Sequence, residues 1–270
     1  MSKGFKFISI VLVLCALYAA FIVFVDKKKD PGSLPEISAP EGVLQVSVDA
    51  DKKTLLKDVM ASDAEDGDLT SQVYIESISA FDDENQRTVT YAVFDTDDHI
   101  ARTTRKIKYK DYKAPVITVE KPLCYYFLHS VDEYKNFVSA SSSVDGDISS
   151  QITIESEMIE DNKNYVIYSV TDSCGTKTTL KLKADILNTE PNIEISLSDY
   201  MLRVPAGTEI YPEEYITQIK IMGVVDNSLV SSVEISTDYN AAAAGIYEFI
   251  YRISQSGGDY GITKLVVVVE

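Results

Sequence analysis

The sequence predicts an all-β body of three tandem β-sandwich domains behind an N-terminal transmembrane helix. Three observations carry this. A charge-free apolar run of 19 residues stands at Phe7–Val25. An acidic turn and a tyrosine landmark recur in step along the rest of the chain. Between the landmarks, apolar and polar residues alternate with the period of two that a half-buried strand requires.

The run FISIVLVLCALYAAFIVFV would make about 28 Å of helix, close to the hydrocarbon thickness of a bilayer. Three readings compete: a cleaved signal peptide, a lipoprotein signal at Cys15, and a retained anchor. Cutting after Ala20 or Ala19 puts Tyr18 or Leu17 three residues before the cut, where a small residue is needed. Leu14 precedes Cys15, where a lipoprotein would also have a small residue. The expectation is a retained anchor over 7–25, with a cytoplasmic head at 1–6 and a linker at 26–34. Lys3 and Lys6 face Lys27, Lys28 and Lys29 across the run, so flanking charge is nearly balanced. Long domains cross regardless of such charge. A single-pass cell-membrane protein with extracellular C-terminal domains follows.

Beyond the first 25 residues there are 23 basic against 42 acidic residues, a net −19. That field repels nucleic acid and anionic polymers and favours cations. A nucleic-acid role is therefore excluded. Tyr outnumbers Phe 17 to 9, and Val- and Thr-rich segments point to strands.

Three openings mark the repeat: Pro35-Glu36-Ile37, Pro115-Val116-Ile117 and Pro191-Asn192-Ile193, spaced by 80 and 76 residues. They set domains at 35–112, 113–188 and 189–270. Within each lies a turn: Asp66-Gly67-Asp68-Leu69, Asp145-Gly146-Asp147-Ile148 and, degraded, Asp226-Asn227-Ser228-Leu229. A Tyr follows 25, 23 and 25 residues later, at Tyr91, Tyr168 and Tyr251. Around it Val89/Tyr91/Val93, Val166/Tyr168/Val170 and Phe249/Tyr251/Ile253 alternate with outward residues. Polar turns at Thr96–Asp98, Ser173–Gly175 and Ser256–Gly258 then lead into a last strand, so each unit ends in a hairpin. About seven short strands in about 80 residues fit a small sandwich. The three tyrosines read as structural: near the start of the penultimate strand, each buries its ring and bonds its hydroxyl to backbone.

The pattern D-x-E-D-G-D-L-T, then Y-x-V-x-D, then D-x-x-A-P, resembles the bacterial immunoglobulin-like repeats of surface proteins. Asp63–Thr70, Tyr91–Asp95, Asp111 and Ala114-Pro115 carry the resemblance in the first unit, and Asp145–Ile148 with Tyr168–Gly175 in the second. The third lacks both the DGD and the terminal Asp. The resemblance implies an immunoglobulin-like fold and a surface setting; it implies no chemistry.

The acidic turns are the obvious ion site. An EF-hand loop fails: placing Gly67 at position 6 puts Ser62, Ala64 and Val73 at positions 1, 3 and 12, and Gly146 gives Ser141, Ser143 and Ile152. A looser calcium site would draw on Asp63, Glu65, Asp66 and Asp68, with Asp111 from the linker. The supply of carboxylates falls from unit to unit while the turn stays in place. That favours Asp and Gly as turn formers, and no cofactor is expected.

Cys124 and Cys174 could pair in an oxidising exterior; two separate thiols are the alternative. His99 and His129 stand alone, and neither G-x-S-x-G nor a phosphate loop occurs, so the chain reads as no enzyme. The run Cys124-Tyr125-Tyr126-Phe127-Leu128 is either a buried strand or an aromatic contact patch. The functional expectation is a membrane-anchored stalk or adhesion module with a protein or glycan partner at the cell surface. The alternatives are a ligand-binding ectodomain for wall glycan and an accessory subunit of an envelope complex.

Overall fold

A computed structural model describes residues 17–18, 32–126, 131–160 and 163–270. The head, all of the expected anchor but Leu17 and Tyr18, Lys27–Lys29 and His129 lie outside them. Among the described residues no helix is long and apolar enough to cross a membrane.

The first repeat holds strands β1 (Glu36–Ser38), β2 (Val43–Val46), β3 (Met60–Asp63), β4 (Gly67–Asp68), β5 (Tyr74–Ile78), β6 (Arg87–Phe94) and β7 (Ile100–Tyr109). They form a three-stranded sheet, β1-β3-β4, and a four-stranded sheet, β2-β7-β6-β5. β2 runs parallel to β7, and the other pairings are antiparallel. Alternation places Val89, Tyr91 and Val93 of β6 inward, where they meet Ala61, Leu69, Val73 and Ile107 in one core.

The pattern returns twice. The second repeat has β8 (Val116–Val119), β9 (Cys124–Tyr126), β10 (Val138–Ser142), β11 (Gly146–Asp147), β12 (Thr153–Glu160), β13 (Lys163–Thr171) and β14 (Lys177–Leu187). The third has β15 (Ile193–Leu197), β16 (Met201–Val204), β17 (Ile216–Ile221), β18 (Val224–Val225), β19 (Glu234–Thr237), β20 (Gly245–Ser254) and β21 (Tyr260–Val269). Their sheets repeat the order: β8-β10-β11 with β9-β14-β13-β12, and β15-β17-β18 with β16-β21-β20-β19. Each pair of sheets encloses its own apolar cluster, so the architecture is all-β and two-layered. The chain divides into two compact units. One is the described chain up to Tyr109 without Ser47–Asp49; the other is Lys110–Glu270 with Ser47–Asp49.

Tyr91, Tyr168 and Tyr251 are fully buried. They sit three residues before the end of β6, β13 and β20, not near the start as the sequence suggests. Each penultimate strand extends further back than expected, because its first half pairs with the final strand. The hydroxyls donate to Leu55 O (2.7 Å), Tyr134 O (3.1 Å) and Pro212 O (2.8 Å). Those carbonyls lie 36, 34 and 39 residues upstream, on the short helical segments Lys52–Leu55, Val131–Phe137 and Pro212–Tyr215 that join the second and third strands. A local corner would reach only a few residues back. Here the tyrosine ties one layer to the connection over the other.

Candidate functional site

The acidic turns direct their carboxylates at the protein itself. Asp68, Asp147 and Asp226 each accept from the backbone N–H two residues on, at 2.9, 2.9 and 3.1 Å. Asp226 thus takes over the capping bond of Asp68, two residues from the alignment the sequence suggests, while the ladder sets Val225 at Asp68's position. Asp66 accepts from Thr96 N and Oγ1, both at 2.8 Å, and Asp145 from Ser173 N at 2.7 Å. These bonds clamp the acidic turn to the turn of the final hairpin. Gly67 and Gly146 hold φ of +77° and +71°, which L-residues rarely adopt. Leu69 and Ile148 then plug the core.

Asp63 accepts from Ser33 Oγ (2.6 Å), Glu65 N (2.8 Å) and Asp66 N (3.1 Å), and the Ser33 hydroxyl first among them holds its carboxyl below the usual range. Its second oxygen, Oδ2, is buried without a hydrogen-bond partner among the described residues. Asp111 belongs to the other compact unit, where it accepts from Ser47 Oγ (2.6 Å) and Val48 N (2.9 Å). Among the described residues no three His, Cys, Asp or Glu side chains are gathered as a metal would need.

Of the two alternatives that the sequence leaves open for Cys124 and Cys174, the structure shows separate thiols with no disulfide between them. Cys124 pairs in register with Asp185 near the C-terminal end of β14, whereas Cys174 precedes that strand. Eight strand residues at about 3.3 Å each separate those ends. A disulfide tolerates Cα atoms only about 4.4–6.8 Å apart. Of the aromatic run, Cys124–Tyr126 forms β9, and residues 127–128 lie outside the described chain.

The site that sequence reading missed is the seam between the second and third repeats. Register makes Lys264 of β21 the counterpart of Thr104 and Lys181, both on the outward face of the four-stranded sheet. Thr104 is exposed, yet Lys264 is 0 % exposed, because the end of β14 covers it. Its Nζ donates to Lys183 O (2.7 Å), Asp185 Oδ2 (2.9 Å) and Glu248 Oε1 (2.9 Å). Lys183 Nζ stands 3.4 Å from Asp185 Oδ1 and 3.6 Å from Glu248 Oε2, so two cations face two carboxylates. Beside this square the seam is apolar. Met201 and Val266 join the core cluster of the second repeat, with Tyr200 and Val268 packed against it. Arg203 Nη2 donates across to Ile117 O at 3.3 Å. Cavities of about 290 and 230 Å³ flank the charges, one beside Asp185, Arg252 and Tyr260, the other beside Lys183, Asp238 and Glu248.

Burial disfavours the charge on Lys264, but Glu248 and Asp185 outweigh it and hold the ammonium above its ordinary range. Burial likewise opposes the Asp185 charge, and Lys264 beside it holds the carboxyl below the usual range. Burial pushes the neighbouring Cys124 thiol up to about 12. A protonated thiol and a protonated amine are poor nucleophiles. The arrangement is an ion-pair lock.

A signal for it stands in the sequence: Leu265–Val269 is apolar without alternation. Such a strand is covered on both faces, not one.

No protein-family model matches the chain, and no curated protein matches it. Among solved structures, the chain is similar to the M60 catalytic domain with the CBM51-1 and CBM51-2 domains from Clostridium perfringens ZmpB, at 10 % identity and a TM-score of 0.24 over 88 % of this chain. The match covers 31 % of that protein's own length, so this chain spans about a third of it. It is similar to human CDH23 EC21-23 at 12 % identity and a TM-score of 0.22, covering 87 % of this chain and 100 % of that one. It is similar to Drosophila N-cadherin EC1-3 at 10 % identity and a TM-score of 0.29, covering 86 % and 98 %. At these values the superpositions decide nothing about fold or ligand. The two-layered architecture rests on the strand order and register described above.

Proposed function

We propose that the chain is a non-enzymatic stalk or adhesion protein of a cell envelope. Three tandem immunoglobulin-like sandwiches stand outside the cell, held by a membrane anchor over residues 7–25. The observation that carries this reading is the seam. Freely jointed modules bury little against each other, and their relative motion is the default. Here an apolar patch and a four-charge lock join the second and third repeats into one unit, as a spacer that resists bending requires. Stretching single molecules held at both ends tests it. The second and third repeats should yield in one event, apart from the first. Three separate, equally weak events would refute the stalk.

A second reading, a glycan-binding ectodomain, is favoured by one observation. Tyr74 and Phe94 stack at 6.1 Å on the outer face of β5 and β6, 38 % and 44 % exposed. The Glu76–Arg102 pair, closed by hydrogen bonds of 2.8–3.0 Å, lies on the same sheet. Exposed aromatic faces and planar polar groups are what a sugar ring packs on. Binding of wall glycan that is lost in Tyr74→Ala and Phe94→Ala would decide for it.

A further inference from the structure

We infer that the β17–β18 hairpin of the third repeat is a docking edge for an extended, apolar segment of another protein, flanked by basic residues. Three equivalent hairpins allow the comparison. Asp63↔Gly67, Ser142↔Gly146 and Ile221↔Val224 are the same closing pair, and Asp68, Asp147 and Val225 stand at the same next position. The first two repeats thus put Gly-Asp on the short edge strand, and the third puts Val-Val there. The loop changes with it. Three residues, Ala64–Asp66 or Ser143–Asp145, become two, Met222 and Gly223, with φ of +47° and +83°. A left-handed Met is strained by about 1 kcal/mol or more, and such strain gathers at functional sites.

These apolar side chains do no work in folding. Met222, Val224 and Val225 are 77, 70 and 49 % exposed, and none belongs to the third core or packs against it. β18 is also the outermost strand of its sheet, and among the described residues nothing pairs with its outer side. Sheet edges are commonly protected by charge, which is what Asp68 and Asp147 supply in the first two repeats. The third repeat has lost that protection and gained β-branched residues that favour pairing.

The chemistry of the edge selects its occupant. Open N–H and C=O groups call for another extended backbone, which a lipid or sugar does not offer. Met and Val call for apolar side chains along it. The chain's net charge of −17 opposes a second copy and favours basic flanks. A two-residue edge makes this a transient contact. The inference gives the proposed surface role a partner, and it rests on that reading only for the compartment in which the partner is found.

The test places a photo-crosslinking residue at Met222 in the full chain, in the cells that make it. The expected adduct is a peptide of another protein, apolar, with Lys or Arg within a few residues. V225D, which copies the acid of the first two repeats, and V224D, which sets one at the neighbouring edge position, should each cut the yield about tenfold. The melting temperature should hold, since both side chains are exposed. An adduct to a second copy, to lipid or to glycan overturns the inference. So does no adduct, one that survives both aspartates, or an equal yield from a probe at Asp145. Single-molecule stretching reads the stalk separately, so an early-yielding seam with the expected adduct would sink the stalk and leave the docking edge standing.

Discussion

Replacing Lys264 with Met removes a charge while keeping most of an apolar stem, and so isolates what the lock contributes. Lys264 is fully buried; Asp185 and Glu248 retain only 22 % and 11 % of their side-chain exposure. Removing one partner of a buried pair strands the others, at about 3–5 kcal/mol. Lys183, already within 3.6 Å of both carboxylates, relieves part of this, so the lower end, about 3 kcal/mol, is expected. For a unit of this size that is roughly a 6–12 °C fall in Tm. The assay is calorimetry of wild type and K264M, with urea unfolding as a check on ΔG. The transition of the second and third repeats should fall, and split as they part. Adding D185N and E248Q to K264M should recover at least half of the loss, because no charge is then left stranded. The lock also sets pH limits. Asp185, lowered in the fold, contributes stability that is present above its ordinary pKa of about 4 and lost as pH falls through the lowered value. Lys264, raised in the fold, contributes below about 10.4, and that is lost as pH climbs through the raised value. A K264M variant within about 0.5 kcal/mol of wild type would refute the reasoning.

Tyr91→Phe, Tyr168→Phe and Tyr251→Phe each remove one buried hydroxyl bond and should each destabilise by about 1–2 kcal/mol in urea unfolding. Cys124 and Cys174 should resist a thiol reagent in the folded chain and label fully in denaturant, since one thiol is pushed up to about 12 and the other is 1 % exposed. His99 Nδ1 donates to Asp95 Oδ2 at 2.8 Å, which raises the His99 pKa, and NMR titration should find it above the ordinary value of about 6.5. The stability it contributes is complete below that ordinary value and is lost as pH rises through the raised one; Asp95→Asn should return the titration toward normal. Millimolar calcium should leave the melting temperature nearly unchanged, because the acidic-turn carboxylates already serve backbone donors; a rise of several degrees would show an ion site at Asp63.

Much of the architecture is legible locally. Period-two alternation around Tyr91, Tyr168 and Tyr251 marks the inner face of each penultimate strand, and the acidic turns mark where a short edge strand begins. What is not legible depends on pairings far apart in sequence. Asp185 and Lys264 are 79 residues apart, and no local pattern brings them together. The tyrosine hydroxyls reach carbonyls more than thirty residues back for the same reason. The third acidic turn misleads because shortening its loop by one residue shifts the capping role onto Asp226. Whether Cys124 and Cys174 join is not readable either, because a shared compartment says nothing about distance along a strand.

The shared wall of Val266, Met201 and Lys264 has a practical meaning for anyone who cuts or transplants this chain. Severing it near residue 189 would bare a greasy surface and leave the Lys264 ammonium with Glu248 but without Asp185 and the Lys183 carbonyl, and the C-terminal piece should precipitate where the longer fragment from residue 110 stays dispersed. The last two sandwiches are therefore to be moved, duplicated or deleted together.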